Sequence, residues 1–140
     1  MNANELRINN LVAINNELLL ETKGEIYKVS GINLRFESMF PDSKSVIFLD
    51  HTKSIRTYSQ FDEFIEPIPL TEDWLLKMGF KIQGRRISKD WFYLWYDDEK
   101  IIFALAEMQE ETGAYLIINY IHQLQNLYFS LTGKELQLTN

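Results

Sequence analysis

Three stretches in the second half of the chain have no polar face. Residues 91–96 read WFYLWY, residues 101–106 read IIFALA and residues 114–118 read AYLII, so all 17 positions are apolar or aromatic. An antiparallel strand with one face in water should alternate apolar and polar side chains with period two. Because these stretches do not alternate, they predict a sheet covered on both faces. Helices of the same chain would cover one face, and the N-terminal half or a second molecule the other.

Composition limits the class of protein. The 140 residues are 46% hydrophobic and 24% charged, which indicates a folded chain and not a disordered one. The absence of cysteine excludes disulfides and thiolate zinc sites and fits a reducing, cytoplasmic location. Residues 1–10 are polar and the apolar runs are too short to cross a bilayer, so no membrane partner is expected.

Charge is spread evenly along the chain. The net charge is −6, and residues 1–70 and 71–140 each carry ten acidic and seven basic residues. Without a basic tail or a basic half, loose electrostatic binding to nucleic acid is not expected. Specific binding through a local basic patch stays open.

The first half reads as short strands between turns rich in Asn, Gly, Asp, Ser and Lys. A 3₁₀ turn is predicted at residues 58–63, and strands are predicted at residues 11–14, 17–20, 26–32, 33–36, 46–49, 55–58 and 64–67. A first strand, a loop and a long bent second strand are typical of a small SH3-like β-barrel, although short strands suit several β folds.

Pro67 and Pro69 mark the boundary between the halves. Thr71 is the predicted N-cap of a helix at residues 72–78, and Gly79 should end that helix in a left-handed conformation. A meander follows, with strands predicted at residues 80–83, 90–96, 101–106 and 114–118 and a final helix, capped by Asn119, at residues 120–132. The predicted fold class is α+β, with an SH3-like barrel (residues 1–69) packed on an antiparallel β-meander with two helices (residues 70–140).

The last helix has one residue out of pattern. Its predicted core stripe contains Tyr120, Ile121, Leu124, Leu127, Tyr128 and Leu131, whereas Phe129 lies on the polar side. Phe129 therefore either packs against the barrel or a loop, or belongs to a surface that binds a partner.

No catalytic constellation is visible. The two histidines, His51 and His122, are isolated in the sequence, and no nucleophile-elbow, P-loop or dinucleotide-binding motif occurs. The acidic groups lie at predicted turns beside apolar strands, where charges are solvated and prevent edge-to-edge aggregation. A metal site formed by Glu107, Glu110 and Glu111 has no calcium-loop spacing to support it. We therefore predict a non-enzymatic protein with no cofactor and no metal.

Two groups of residues are candidates for binding. The basic group, around the first hairpin of the meander, is either a solvated edge or a grip on single-stranded nucleic acid; it contains Lys81, Arg85, Arg86 and Lys89. The aromatic group shares one face of the predicted strand 90–96 and is either core or an interface anchor; it contains Trp91, Tyr93 and Trp95.

Residues 121–136 read IHQLQNLYFSLTGKEL, residues 4–10 read NELRINN, and residues 67–75 read PIPLTEDWL. In these segments the chain resembles a group of small uncharacterised proteins from Bacteroidetes genomes and from their phages and mobile elements. That group is expected to have glycine where Asn9 stands, which indicates a residue with positive φ. The resemblance implies an accessory protein of bacterial or phage origin and carries no activity that could be transferred.

The leading hypothesis is a non-enzymatic accessory protein that binds a protein partner or a second copy of itself. If the gene is phage-borne or lies on a mobile element, that partner would be a host component. The alternative is a nucleic-acid-associated accessory protein that uses the basic hairpin.

Overall fold

The computed structural model describes residues 1–34, 44–104 and 115–139. The chain forms two compact units, Met1–Ile68 and Pro69–Asn140, and the division falls in the proline-rich segment of the sequence. The described residues form two five-stranded antiparallel sheets and two α-helices, which confirms the α+β class.

The first unit contains one sheet with the strand order β4-β3-β2-β1-β5. Its strands are β1 (Leu11–Ile14), β2 (Tyr27–Asn33), β3 (Val46–His51), β4 (Thr57–Phe61) and β5 (Ile65–Glu66). A 3₁₀ turn, Asp62–Phe64, joins β4 to β5. Within the described residues no pairing between β4 and β5 closes the sheet, so a closed barrel is not observed.

The predicted strand at residues 17–20 is wrong. The side-chain oxygen of Asn16 accepts a hydrogen bond from the backbone N–H of Leu18 at 3.0 Å. The backbone carbonyl oxygen of Asn16 accepts one from the N–H of Leu19 at 2.9 Å. These local bonds fold the chain into a turn, which a 3₁₀ turn at Leu20–Thr22 continues. The strand predicted at residues 33–36 is also wrong at its start, since β2 runs on to Asn33; residues 35 and 36 lie outside the described residues.

The long second strand is bent, as predicted. The register between β2 and β3 shifts between Val29 and Gly31, which leaves Ser30 as an extra residue in a β-bulge. The inward side chains of the sheet form the core of the unit together with two residues near the N-terminus: Ala3, Leu6, Val12, Ile14, Tyr27, Val29, Ile47, Leu49 and Ile65.

The second unit places a meander between two helices. Its elements are α1 (Glu72–Lys77), β6 (Lys81–Gln83), β7 (Arg86–Lys89), β8 (Phe92–Asp97), β9 (Lys100–Ala104), β10 (Tyr115–Ile117) and α2 (Ile121–Thr132). The described part contains five strands in the order β10-β9-β8-β7-β6 where four were predicted. The sequence prediction missed β7 because its residues, RISK, include a single apolar side chain. Residues 105, 106 and 114 of the predicted strands lie outside the described residues.

Three two-residue loops build the meander. Gln83 pairs with Arg86, Lys89 with Phe92, and Asp97 with Lys100, which leaves two residues between the strands each time. The first loop residue has positive φ in all three cases: Gly84 (62°), Asp90 (54°) and Asp98 (55°). Gly and Asp are among the residues that tolerate this conformation best, so the local sequence determines where each strand turns back.

Aromatic rings fill the space between the sheet and α2. The ring centroid of Phe92, on β8, lies 5.5 Å from that of Phe103, 5.3 Å from that of Tyr128 on α2 and 6.1 Å from that of Phe80. Except for the stacked Phe103 pair these contacts are edge-to-face, an arrangement that stabilises aromatic pairs beyond their buried area. The ring cluster defines the inner face of the second sheet.

Helix α1 begins and ends as its sequence predicts. The hydroxyl of Thr71 accepts a hydrogen bond from the N–H of Trp74 at 3.4 Å. At the other end Gly79 has φ 87°, the N–H of Phe80 donates to Leu75 O at 3.0 Å, and the N–H of Gly79 donates to Leu76 O at 3.1 Å. These two bonds form a Schellman motif and confirm the predicted left-handed Gly79.

The buried stripe of α2 differs from the predicted one. Tyr120, and not Asn119, is the N-cap. The side-chain oxygen of Gln123 accepts hydrogen bonds from the backbone N–H groups of Asn119 and Tyr120. His122 and Gln125 are buried, while Leu131 is exposed. Ile121, Leu124 and Tyr128 are buried as predicted, so a helical wheel of apolar residues located the centre of the stripe but not its polar members. In the first unit, Asn9 has φ 77°, the positive value that the glycine expected at this position from the resemblance implied.

We expect Gly79→Ala to lower the free energy of unfolding by about 1–2 kcal/mol, because a Cβ at positive φ is strained. The added Cβ would also lie 2.6 Å from Nζ of Lys89, which would have to move. Urea denaturation followed by tryptophan fluorescence measures the change. Gly24→Ala is the matched control for the contact with Lys89, since Gly24 has a similar φ of 79° and no atom near the new Cβ. It should show the cost of the positive φ alone. An unchanged or higher stability for Gly79→Ala would contradict the motif.

Candidate interaction surface

Tyr93 and Trp95 lie on the face of the second sheet opposite the ring cluster, because side chains alternate along β8 and Phe92 points inward. Directly paired residues of an antiparallel sheet share a face, and Trp95 pairs with Arg86 and with Ile102. By the same rule Ile117 lies on this side, because it pairs with Ile102. Lys81 lies there too, because it pairs with Ser88, which in turn pairs with Tyr93. We call these six residues the basic-aromatic face: Lys81, Arg86, Tyr93, Trp95, Ile102 and Ile117.

A cation–π contact joins the two predicted groups. The guanidinium carbon of Arg86 lies 4.2 Å from the centroid of the Tyr93 ring. Such a contact contributes about 0.5–1 kcal/mol at an exposed site. The basic and aromatic candidates, proposed separately from the sequence, therefore form one surface at this point.

The basic-aromatic face is only partly covered. Tyr93, Trp95 and Ile102 are half-buried, Lys81 and Arg86 are exposed, and Ile117 is 40% exposed. On the inner face, by contrast, Ile87, Phe92 and Leu94 are buried. The sheet is thus well covered at the centre of its inner face and only in part on the other face, and on the inner side of the edge strand β10 Leu116 is 56% exposed.

Trp91 does not belong to this face, contrary to the sequence prediction. It lies in the two-residue loop before β8, because the chain turns at Asp90, and its side chain is 59% exposed. Its ring contacts the edge of Phe92 at a centroid distance of 6.4 Å. Trp91 is a residue of the loop and not a third member of the aromatic row.

Two of the four basic candidates have local structural contacts. Lys89 lies opposite Phe92 on the inner face, and its Nζ donates to the carbonyl oxygen of Met78 at 2.8 Å, at the C-terminal end of α1. Arg85 lies in the first hairpin loop, and its Nε donates to the carbonyl oxygen of Tyr96 at 3.0 Å. Lys81 and Arg86 are therefore the basic candidates that reach the basic-aromatic face.

Phe129 lies on α2, away from this face. Its neighbour Tyr128 packs on Phe92 inside the sheet, whereas Phe129 is 38% exposed. Burial raises the pKa of Tyr128 above its ordinary value, so this ring is neutral at physiological pH. The structure does not bring Phe129 together with Tyr93 or Trp95.

The described part of the chain contains no group of three His, Asp or Glu side chains able to hold a metal ion. Glu107, Glu110 and Glu111 lie outside the described residues. His122 is buried, and its ring stacks on Tyr120 with centroids 5.9 Å apart. Among the described helices, none is long and apolar enough to cross a membrane.

No protein-family model matches the chain, and no curated protein or solved structure matches it either.

We expect Lys89→Met to lower the free energy of unfolding by about 1–2 kcal/mol, because it removes a charged donor from the C-terminal end of α1. Lys81→Met is the control: the same substitution at an exposed strand edge should change stability by less than about 0.5 kcal/mol. Thermal melts of the three proteins measure both effects. Equal stability of the two variants would show that the bond from Lys89 to Met78 is unimportant.

We expect Phe129→Ala to cost about 1–2 kcal/mol, less than the 3–5 kcal/mol typical of an emptied core phenylalanine site. The reason is that more than a third of Phe129 is already in water. Phe92→Ala, at a site 1% exposed, is the control with the full core cost. Denaturant unfolding gives the free energies, and light scattering detects any change in assembly. A loss for Phe129→Ala as large as for Phe92→Ala would place Phe129 in the core.

Proposed function

We propose that this protein is an accessory protein whose second unit is a non-enzymatic module that binds a protein partner through the basic-aromatic face. The observation that supports this proposal is the contact between Arg86 and Tyr93 beside the half-buried Trp95. Arg, Tyr and Trp are the residues most enriched among those that dominate the energy of protein interfaces. Ile102 and Ile117 add apolar area beside them.

The charge of the face favours an acidic partner. Alternation along β8 and the pairing of Asp97 with Lys100 place these two residues on the same side as the six, so three cations accompany one carboxylate there, although the chain as a whole has a net charge of −6. Complementary charge increases the rate of association and selects the partner, while the aromatic residues supply most of the affinity. An acidic patch bordered by apolar side chains on the partner would fit this face.

Single-stranded nucleic acid fits the face less well. Binding of that kind uses a row of cations along the backbone and open aromatic rings on which bases stack. Of the four basic candidates, Lys89 and Arg85 are hydrogen-bonded to main-chain carbonyls, and Arg86 covers one side of the Tyr93 ring. This geometry favours a protein partner over the nucleic-acid alternative.

The wider context of the proposal rests on sequence and topology. For the first unit we propose an SH3-like fold, supported by the strand order β4-β3-β2-β1-β5 and the 3₁₀ turn before β5. The resemblance of residues 4–10, 67–75 and 121–136 to small phage and mobile-element proteins supports an accessory role. A cytoplasmic location agrees with the absence of cysteine.

Comparative affinity capture from the native host tests the proposal. Tagged wild-type protein, Arg86→Glu and Trp95→Ala are used as bait, and the captured proteins are quantified by mass spectrometry. The partner should be captured by wild type and lost from both variants, since removing such residues weakens association by about 2 kcal/mol or more. Lys134→Glu, the same charge change at an exposed residue outside the face, should retain it.

Three further outcomes are informative. Equal capture by wild type, Arg86→Glu and Trp95→Ala would refute the proposal. Loss of the captured protein after nuclease treatment, together with a salt-sensitive band shift of a single-stranded oligonucleotide, would establish the nucleic-acid alternative. Recovery of the untagged chain itself would identify the partner as a second copy.

A further inference from the structure

Three polar side chains meet at one end of the first sheet, far along the sequence from the basic-aromatic face. His51 is the last residue of β3 and is 8% exposed, with its ring edge-to-face against Tyr27 at a centroid distance of 5.3 Å. Its Nε2 lies 2.8 Å from Oε2 of Glu25, and its Nδ1 lies 2.9 Å from Oγ of Ser54. A hydroxyl, an imidazole and a carboxylate are thus connected in one hydrogen-bonded chain.

The backbone determines the tautomer of His51. The N–H of Lys53 donates to Nδ1 at 3.2 Å, so Nδ1 must carry the lone pair. The proton of the neutral ring is then on Nε2, where it is donated to Glu25, and the hydroxyl of Ser54 donates its own proton to Nδ1. The hydrogen bond from His51 also holds the pKa of the Glu25 carboxyl below its ordinary value, so Glu25 is ionised at neutral pH.

These are the contacts of an activated serine. A base that accepts the hydroxyl proton and is itself oriented by a carboxylate makes the serine oxygen a better nucleophile. The backbone N–H and the side-chain Nε of Arg56 both donate to Oγ of Ser54 at 3.3 Å. The guanidinium offsets the charge that Oγ gains as its proton moves to His51, and one of these two long bonds must open to free a lone pair for attack. Ser54 and Ile55 are exposed, so a reagent can reach the oxygen.

A simple turn brace does not explain the whole arrangement. The loop between β3 and β4 is already closed by the bond from the His51 N–H to Arg56 O at 2.9 Å, and the bond from Lys53 to Nδ1 supports it further. Glu25, however, comes from the segment before β2, 26 residues earlier in the sequence. Its contact orients the imidazole relative to Ser54 and adds nothing to the local turn.

We propose that Ser54 is a nucleophile that accepts acyl groups from small carboxylic esters, with His51 as its base and Glu25 as the residue that positions the base. In the first step a bond forms between Oγ and the ester carbonyl carbon, while the hydroxyl proton moves to Nδ1 of His51. The bond from that carbon to the alcohol oxygen then breaks, and the alcohol leaves with the proton. Water, deprotonated by His51, then attacks the acyl carbon of the seryl ester. The bond from that carbon to Oγ breaks, Oγ takes the proton back from His51, and the carboxylic acid is released. This inference is independent of the partner proposed for the second unit.

A fluorophosphonate probe tests the nucleophile directly. Attack by Oγ forms an oxygen–phosphorus bond, breaks the phosphorus–fluorine bond and releases fluoride, leaving a stable adduct that peptide mass spectrometry locates. We expect one adduct per chain, at Ser54, and none in Ser54→Ala. Ser59→Ala, a control on exposed β4, should react like wild type. The probe should also compete with p-nitrophenyl acetate, which wild type would hydrolyse with an initial burst.

The variants of His51 and Glu25 separate activation from folding. His51→Gln should slow labelling roughly a hundredfold, the usual size of a general-base contribution. Glu25→Gln should slow labelling at an unchanged melting temperature, because Glu25 is exposed enough to tolerate the change, and Glu25→Asp should restore part of the rate. If His51→Gln fails to fold, the two Glu25 variants decide the question. An unlabelled wild-type Ser54, or equal labelling rates in wild type and Glu25→Gln, would overturn the proposal.

Discussion

The packing of Phe92 is the contact on which the second unit depends. Its ring meets Phe103 in the sheet, Tyr128 on α2 and Phe80 after α1, so one side chain joins the strands to both helical segments. By fixing the inner face of β8 it also fixes the outer one, because adjacent side chains of a strand point to opposite faces. Because Phe92 and Leu94 are held inside, the alternate residues Tyr93 and Trp95 point outward. The outer surface of β8 is therefore a consequence of its core.

The sequence predicted those elements whose signals are local. The bounds of β1, the cap at Thr71 and the left-handed Gly79 follow from short-range sterics and hydrogen bonds, and all three are observed. Elements that depend on tertiary packing were not predictable in the same way. Strand β7 has too few apolar residues to be recognised alone and is formed by its two neighbours. On α2, the buried His122 and Gln125 and the exposed Leu131 reflect what surrounds the helix and not its composition.

The candidate surface shows the same division between local and tertiary information. Residue type singled out cations and aromatic rings as candidates, but it could not show that Arg86 covers Tyr93 or that Lys89 binds the end of α1. The placement of Trp91 failed because a single residue, Asp90, adopts positive φ and ends the strand. The contact of His51 with Glu25 joins residues 26 positions apart, and no spacing rule applied to one sequence reveals a pairing of that kind.

The three two-residue loops of the meander have a kinetic consequence. Strands β6 to β9 contact their neighbours across minimal sequence separation, and hairpins of this kind form within about 1–10 μs. The contacts that complete the unit are distant in sequence, such as the Pro69–Tyr120 bridge and the bonds from Thr139 to Lys77, 62 residues apart. Because chain closure over such distances is slow relative to hairpin formation, topology predicts an order of events. The four strands β6 to β9 should assemble first. The contacts between the beginning and the end of the second unit should form later and limit the folding rate.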